Sequence, residues 1–190
     1  LDLADAVDRV SIQSQVEKWV GTDSPATRLE GEEGCGKTWA AAVFAKSCLE
    51  TSEYLCIWLS SSEWSGLRSF REVLIAAIGK LETEPSKQER MLRCLTRPRS
   101  LQIVLVLDGA NEKSGAETIG MVLDDLICHR RKYANFRTLI TTRPLESRPG
   151  TPCDVWQQCD RIAVGPFTDD ELGDALDKWE PRLKLEDIPD

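Results

Sequence analysis

Apolar residues follow two rhythms along this chain, short compact runs and stripes at three- and four-residue spacing, and the two alternate. Residues 11–20 put Ile12, Val16, Trp19 and Val20 on one side of a helix, which Gly21 to Pro25 break. Ala26-Thr27-Arg28-Leu29-Glu30 reads as a short strand, and Trp39 to Lys46 as a helix after it. Tyr54-Leu55-Cys56-Ile57-Trp58-Leu59 is a continuous apolar run of the kind found in buried parallel strands. Leu67, Phe70, Val73, Leu74, Ala77, Ile78 and Leu81 recur at helical spacing. A further helix over 86–97 turns Met91, Leu92 and Leu95 inward and is ended by Pro98. Leu101 to Leu107 is the clearest strand signal, and it stops at Asp108. Ile119, Val122, Leu123, Leu126 and Ile127 mark a helix over 115–132, and Phe136 to Thr141 a short strand stopped before Pro144. A polar, proline-rich loop leads to a fifth strand over 161–164, and Thr168 with Glu171 three residues on predicts a capping box on a last helix. Strands alternating with helices imply an α/β fold: a mainly parallel five-stranded sheet in a three-layer sandwich, with helices on both faces. We divide the chain into an N-terminal linker and helix (1–22), a core (23–166) and the start of a following helical domain (167–190).

Between the first strand and its helix stands Gly31-Glu32-Glu33-Gly34-Cys35-Gly36-Lys37-Thr38, the phosphate-binding pattern of Gly, four free positions, Gly, Lys and Ser or Thr. Its chemistry follows from its residue types. Glycines let the backbone turn several N–H groups toward one point, and the following helix adds its positive end. Lys37 can reach the β- and γ-phosphates, and the Thr38 hydroxyl can ligate Mg²⁺. Trp39 follows directly; its N–H can meet the α-phosphate, although a packing role suits such a ring better. Strand, glycine loop and helix is the context that distinguishes this motif from an ordinary glycine turn. The arrangement suits a nucleoside triphosphate, so ATP or ADP with Mg²⁺ is the expected ligand set.

Composition narrows the setting. The formal net charge is −8, which argues against broad nucleic-acid binding by this segment. No apolar run approaches the length of a membrane span. The cysteines are scattered (35, 48, 56, 94, 128, 153 and 159), with no Cys-x-x-Cys pair to suggest zinc, which points to reduced thiols and a cytoplasmic setting. His129 has no second histidine to make a metal pair, and with Arg130, Arg131 and Lys132 it forms a basic helix end.

Three further positions complete a candidate site. Asp108 closes an apolar strand, where a carboxylate can hold Mg²⁺ opposite the loop, often through water; taken alone, Asp108-Gly109 reads equally well as a turn. Glu112, four residues on, can orient or deprotonate an attacking water, or be a solvated loop residue. Arg143, in Thr141-Thr142-Arg143-Pro144, can stabilise charge on a γ-phosphate or sit in a surface turn. The candidate catalytic set is therefore Lys37, Asp108, Glu112 and Arg143, with Thr38 and Asp108 as metal ligands. A small-molecule kinase fits less well, because the 145–160 loop offers only Arg148 for a lid.

These motifs together resemble the nucleotide-binding core of STAND ATPases, the P-loop NTPase group that includes the NACHT and NB-ARC families. Val104-Leu105-Val106-Leu107-Asp108-Gly109-Ala110-Asn111-Glu112 is similar to the NACHT pattern of an apolar run followed by Asp-Gly-x-Asp-Glu. Leu139-Ile140-Thr141-Thr142-Arg143-Pro144 is similar to the family's strand ending in Thr-Thr-Arg, and Ile162 to Leu172 looks like its passage into a helical domain. Val7-Asp8-Arg9 lies where the family's linker contacts the adenine, without matching its pattern. The resemblance implies a P-loop NTPase fold and a slow Mg²⁺-dependent ATPase. Its nucleotide state would control opening and homo-oligomerisation in a signalling switch, plausible settings being innate immunity and antiviral defence. A sensor domain elsewhere would bind the trigger. Asn111 stands where the family often has Asp, so Glu112 would serve alone in hydrolysis. The rival readings are a nucleotide-binding module without hydrolysis and an AAA+-like motor.

Overall fold

The computed structural model describes residues 9–52, 54–97, 102–112, 115–144 and 158–179. The expectations for Val7, Asp8, Pro98, Leu101, Arg148, Cys153 and the end of the last segment, 181–190, lie outside these residues.

Five strands form one sheet: β1 (Ala26–Glu30), β2 (Tyr54–Leu59), β3 (Gln102–Leu107), β4 (Phe136–Thr142) and β5 (Asp160–Ala163). Their spatial order is β2-β3-β4-β1-β5, and every pair is parallel. Parallel neighbours need crossovers, which the helices supply. These are α1 (Val10–Val20), α2 (Lys37–Thr51), α3 (Ser61–Trp64), α4 (Phe70–Gly79), α5 (Pro85–Leu95), α6 (Gly115–Cys128) and α7 (Asp169–Trp179).

The three-layer reading holds because the central strands are apolar on both faces. Ile103, Leu105 and Leu107 join Trp64, Phe70, Leu74, Ile119 and Leu123 in a core beneath α3, α4 and α6. Val104 and Val106 point the other way, into a core with Ile12, Val16 and Trp19 of α1 and Phe44 of α2. The period of two, buried on each side, is what a strand covered by helices on both faces requires. Phe70, Tyr133 and Phe136 meet edge to face in the larger core.

Local signals set the helix ends. Ser69 caps α4 by accepting the Glu72 N–H at 3.2 Å. Pro85 occupies the first turn of α5, where its missing N–H does no harm. The capping box expected for the last helix is present in α7: the Thr168 hydroxyl accepts the Glu171 N–H at 3.2 Å, and the Glu171 carboxylate accepts the Thr168 N–H at 2.9 Å. Two expectations need correction. The run Tyr54–Leu59, expected as a buried strand, is only partly buried, with Leu55 37 % exposed, because it is an edge strand that β3 pairs on one side only. The helix expected over 115–132 ends at Cys128; residues 129–133 continue as a tight turn, in which the His129 carbonyl accepts the Lys132 N–H at 2.8 Å.

Among the described residues no helix is long and apolar enough to cross a membrane. Their cysteines are free thiols. Burial pushes the Cys159 thiol up to about 11, and a hydrogen bond with Cys48, together with burial, raises that of Cys56. Both act as small apolar groups.

Candidate functional site

The C-terminal ends of β1 and β4 finish level, and β3 stops two residues short of them. Glu30 pairs with Thr142, and Leu107 with Ile140. The glycine loop, Asp108 and the Thr-Thr-Arg segment therefore emerge along one edge of the sheet, the edge where open α/β folds bind ligands.

The loop turns on two glycines with left-handed backbone, Gly34 (φ +78°) and Gly36 (φ +80°). Gly36 is the N-cap of α2 and supplies no side chain to cover the first-turn N–H groups. Its own Cβ position is also filled: a methyl there would lie 2.7 Å from the tip of the Phe167 ring. We expect Gly36→Ala to destabilise the chain by about 1–2 kcal/mol through the left-handed backbone alone, as measured by denaturant titration. The start of the loop is pinned at its base, where the Gly31 N–H donates to the Thr142 carbonyl at 3.2 Å. Beneath it, the buried Glu30 carboxylate is flanked by Arg28 at 3.0 Å and Arg161 at 2.8 Å.

Lys37 folds over this loop. Its ammonium donates to the carbonyls of Gly31 at 2.8 Å and Glu32 at 2.6 Å, and it lies 3.6 Å from the Cys35 sulfur. Cys35 is buried, and its sulfur packs under Gly31, where a Cβ would come within 2.6 Å of it. Trp39 is half-buried at the start of α2.

Asp108 is held from several directions. The hydroxyls of Thr38 (2.9 Å) and Thr141 (2.6 Å) both donate to its Oδ1. The Thr141 hydroxyl also accepts the Gly109 N–H at 2.8 Å. The Asp108 N–H donates to the Leu59 carbonyl at 3.0 Å, and its own carbonyl accepts the Trp64 indole N–H at 3.2 Å. Thr38 and Asp108 are thus brought together at the start of α2, while the Lys37 ammonium lies on the loop carbonyls.

A magnesium ion suits these residues. Thr38 and Asp108 offer hard oxygen donors of the type it prefers, already within hydrogen-bonding distance of each other. Among the described residues there is no cluster of three His, Cys, Asp or Glu side chains. A hydrated ion sharing one carboxylate, one hydroxyl and substrate oxygens does not need one.

Glu112 lies on the other flank of Asp108, toward β2. Its carboxylate accepts the Ser61 O–H at 2.6 Å and packs over Gly109, where a Cβ would lie 2.9 Å from the carboxyl carbon. The left-handed Gly109 (φ +79°) leaves room for this. Arg143 forms an ion pair with Glu33 of the loop at 2.8 Å, both side chains being substantially exposed. The Arg143 N–H donates to Asn111 Oδ1 at 3.2 Å, so Asn111 ties the Asp108 turn to the end of β4.

Several participants were not read from the sequence. At the end of β4 the sequence singles out Arg143, whereas Thr141 is the residue whose hydroxyl meets Asp108. Ser61 meets Glu112 and Trp64 meets Asp108 from a helix far away in sequence, which no local pattern reveals. Arg9, which the resemblance puts in an adenine-contacting linker, donates to the Cys35 carbonyl of the loop, and Phe167 packs against Gly36. A cleft of ≈ 630 Å³ runs between loop residues 31–35 and the stretch Val164–Phe167, with Leu172 at its rim. It flanks the loop and stops short of Thr38 and Asp108.

No protein-family profile and no curated protein matches the chain by sequence. Solved structures do match it by shape. Cdc6p from Pyrobaculum aerophilum superposes with a TM-score of 0.63 at 18 % identity, over 93 % of this chain and 50 % of that one. The Aeropyrum pernix Orc1 protein, solved in complex with DNA, gives 0.61 at 17 % identity, over 95 % and 52 %. C. elegans PCH-2 gives 0.57 at 17 % identity, over 98 % and 51 %. The chain spans about half the length of these proteins. At such identity the likeness establishes the fold, a P-loop NTPase α/β sheet.

Proposed function

We propose that this chain is the Mg²⁺-dependent ATP-binding core of an AAA+-like P-loop ATPase. The observation that carries the reading is the meeting of Thr38 and Asp108 at the N-terminal end of α2, their side-chain oxygens 2.9 Å apart, beside a glycine loop over which Lys37 folds. Two findings support it. β4 stands between the loop strand and the Asp108 strand, the arrangement of the P-loop class that uses an added catalytic glutamate. The structures it matches in shape belong to AAA+ P-loop ATPases.

In this reading the glycine loop and the exposed N–H groups of α2 bind the phosphates. Lys37 exchanges its loop carbonyls for phosphate oxygens. Thr38 and Asp108 hold the magnesium, which when bound neutralises charge on the phosphate oxygens. Thr141 keeps Asp108 in place. Glu112 leaves Ser61 to hold the attacking water and take its proton, and Arg143 leaves Glu33 to meet the γ-phosphate.

Titration calorimetry with ATP, ADP and GTP, with and without Mg²⁺, tests the binding, and steady-state turnover tests the chemistry. Glu112→Gln should retain ATP while lowering turnover by about 10²–10⁴-fold, the usual contribution of a positioned general base. Turnover unchanged by that substitution would support the non-hydrolytic binding module instead. Wild-type protein that binds neither ATP nor ADP in Mg²⁺ would overturn the reading.

The second reading is the STAND-type signalling switch. The contact that favours it is the Asn111–Arg143 hydrogen bond, which joins the Asp-Gly-Ala-Asn-Glu turn to the Thr-Thr-Arg segment, the two stretches that resemble that family. Roles in oligomerisation, immunity or antiviral defence rest on this resemblance alone. Slow turnover with retained nucleotide supports the switch, whereas rapid turnover supports a motor. The basic run His129–Lys132 is the surface to assay for DNA, given the DNA held by one structural neighbour.

A further inference from the structure

Arg9 caps α1, and it is 5 % exposed. Its guanidinium gathers acceptors from separate stretches of chain. Nη1 donates to the Cys35 carbonyl at 2.7 Å and the Gly165 carbonyl at 3.0 Å. Nη2 donates to the Pro166 carbonyl at 3.0 Å, and Nε to the Glu171 carboxylate at 3.1 Å. The cation also lies 4.8 Å from the centre of the Phe167 ring. A rigid planar fork with fixed N–H directions can satisfy such a set at once; an ammonium cannot reach all of them. Burial alone would raise the Glu171 carboxyl, but the Thr168 N–H and the Arg9 cation outweigh it and hold the group below the usual carboxylate range.

The acceptors explain why this arrangement does more than fill space. The Cys35 carbonyl belongs to the loop and lies between its two left-handed glycines, Gly34 and Gly36. Phe167 leans on Gly36 itself. One turn along α1, the Gln13 side chain donates to the Ala40 carbonyl in α2 at 3.0 Å. The start of α1 therefore grips the loop and the helix behind it. α7 presents Leu172 and Leu176 to solvent, 45 % and 60 % exposed. Its described anchors at the loop end are the Arg9–Glu171 ion pair and the linker carbonyls that Arg9 holds.

We propose that Arg9 is a positioning residue that couples the phosphate loop to α7. One buried cation holds the Cys35 carbonyl together with the Gly165 and Pro166 carbonyls, so a loop rearranged around a nucleoside triphosphate alters how α7 is held. This rests on the nucleotide-binding reading above and adds its readout: the loop reports to the following helix through Arg9 and Phe167, without contact between nucleotide and α7.

The test is hydrogen exchange of residues 165–177 in the full chain, free and saturated with Mg²⁺-ADP or Mg²⁺-ATP, with binding followed separately by calorimetry. In the wild type, exchange over this stretch should differ between the ATP and ADP states by about threefold or more. Arg9→Lys keeps the charge and loses the fork, so it should still bind nucleotide while that difference shrinks to less than about half. Glu171→Gln leaves the loop contacts intact and removes the charge from the α7 end of the ion pair, so it should shrink the difference too. It carries the test if Arg9→Lys does not fold. Measured binding with no ATP–ADP difference in the wild type, or an undiminished difference in Glu171→Gln and in any folded Arg9→Lys, would overturn the coupling and leave the nucleotide site standing. Lack of binding by the wild type would overturn the coupling and the site together.

Discussion

Lys37→Ala should weaken ATP binding by about 10²-fold, because each charge-assisted hydrogen bond lost to a phosphate oxygen is worth about 1.5–3 kcal/mol. The ammonium now donates to two loop carbonyls, so it is already at the loop mouth and needs only to change acceptors. Those acceptors are partly exposed, and water can replace the lysine there. The thermal midpoint should therefore move little while affinity falls steeply. That separation is the diagnostic feature: a lysine serving only to brace the loop would shift both together. Calorimetry on the variant beside a melting curve reads the two effects. Affinity within threefold of the wild type would remove the glycine loop as the phosphate site.

Trp64→Ala should be the most damaging single core substitution near the site, at about 3–5 kcal/mol. The ring is fully buried among Phe70, Leu59 and Leu107 in the larger core, and its indole N–H holds the Asp108 carbonyl. In a domain of this size each kcal/mol lowers the melting temperature by about 2–4 °C, so a fall of about 6–20 °C is expected. Trp64→Phe divides the effect. It keeps most of the ring volume and loses the hydrogen bond, leaving the Asp108 carbonyl to find another donor, for about 1 kcal/mol. If the indole also steadies the metal-side carboxylate, Trp64→Phe will weaken Mg²⁺-ATP binding more than binding of metal-free ATP.

The sheet and the loop were legible in the sequence because each rests on local rules. Tyr54–Leu59 and the run ending at Leu107 could hardly be other than strands, and Gly34 and Gly36 occupy the left-handed positions the motif needs. The capping box of Thr168 and Glu171 was equally local. Strand order was not legible. An apolar run looks the same in the middle of a sheet as at an edge with one covered face, which is why the β2 run reads as buried. The partners of the candidate residues were hidden for a related reason. Arg143 meets Glu33, Glu112 meets Ser61 and Arg9 meets Glu171 across long sequence separations, set by how the layers stack rather than by any spacing. A buried arginine next to a helix start carries no mark that distinguishes it from a solvated one.

The position of β4 has one more consequence. Adjacent strands are spaced about 4.8 Å apart, so the strands ending in the glycine loop and in Asp108 are separated by about 10 Å, with the tip of β4 in the gap. Anything gripped at both banks must cross that tip. The strand in the gap is itself part of the bridge: the Thr141 hydroxyl, 2 % exposed, donates to Asp108 Oδ1 at 2.6 Å, so the carboxylate on the far bank is held by the strand between.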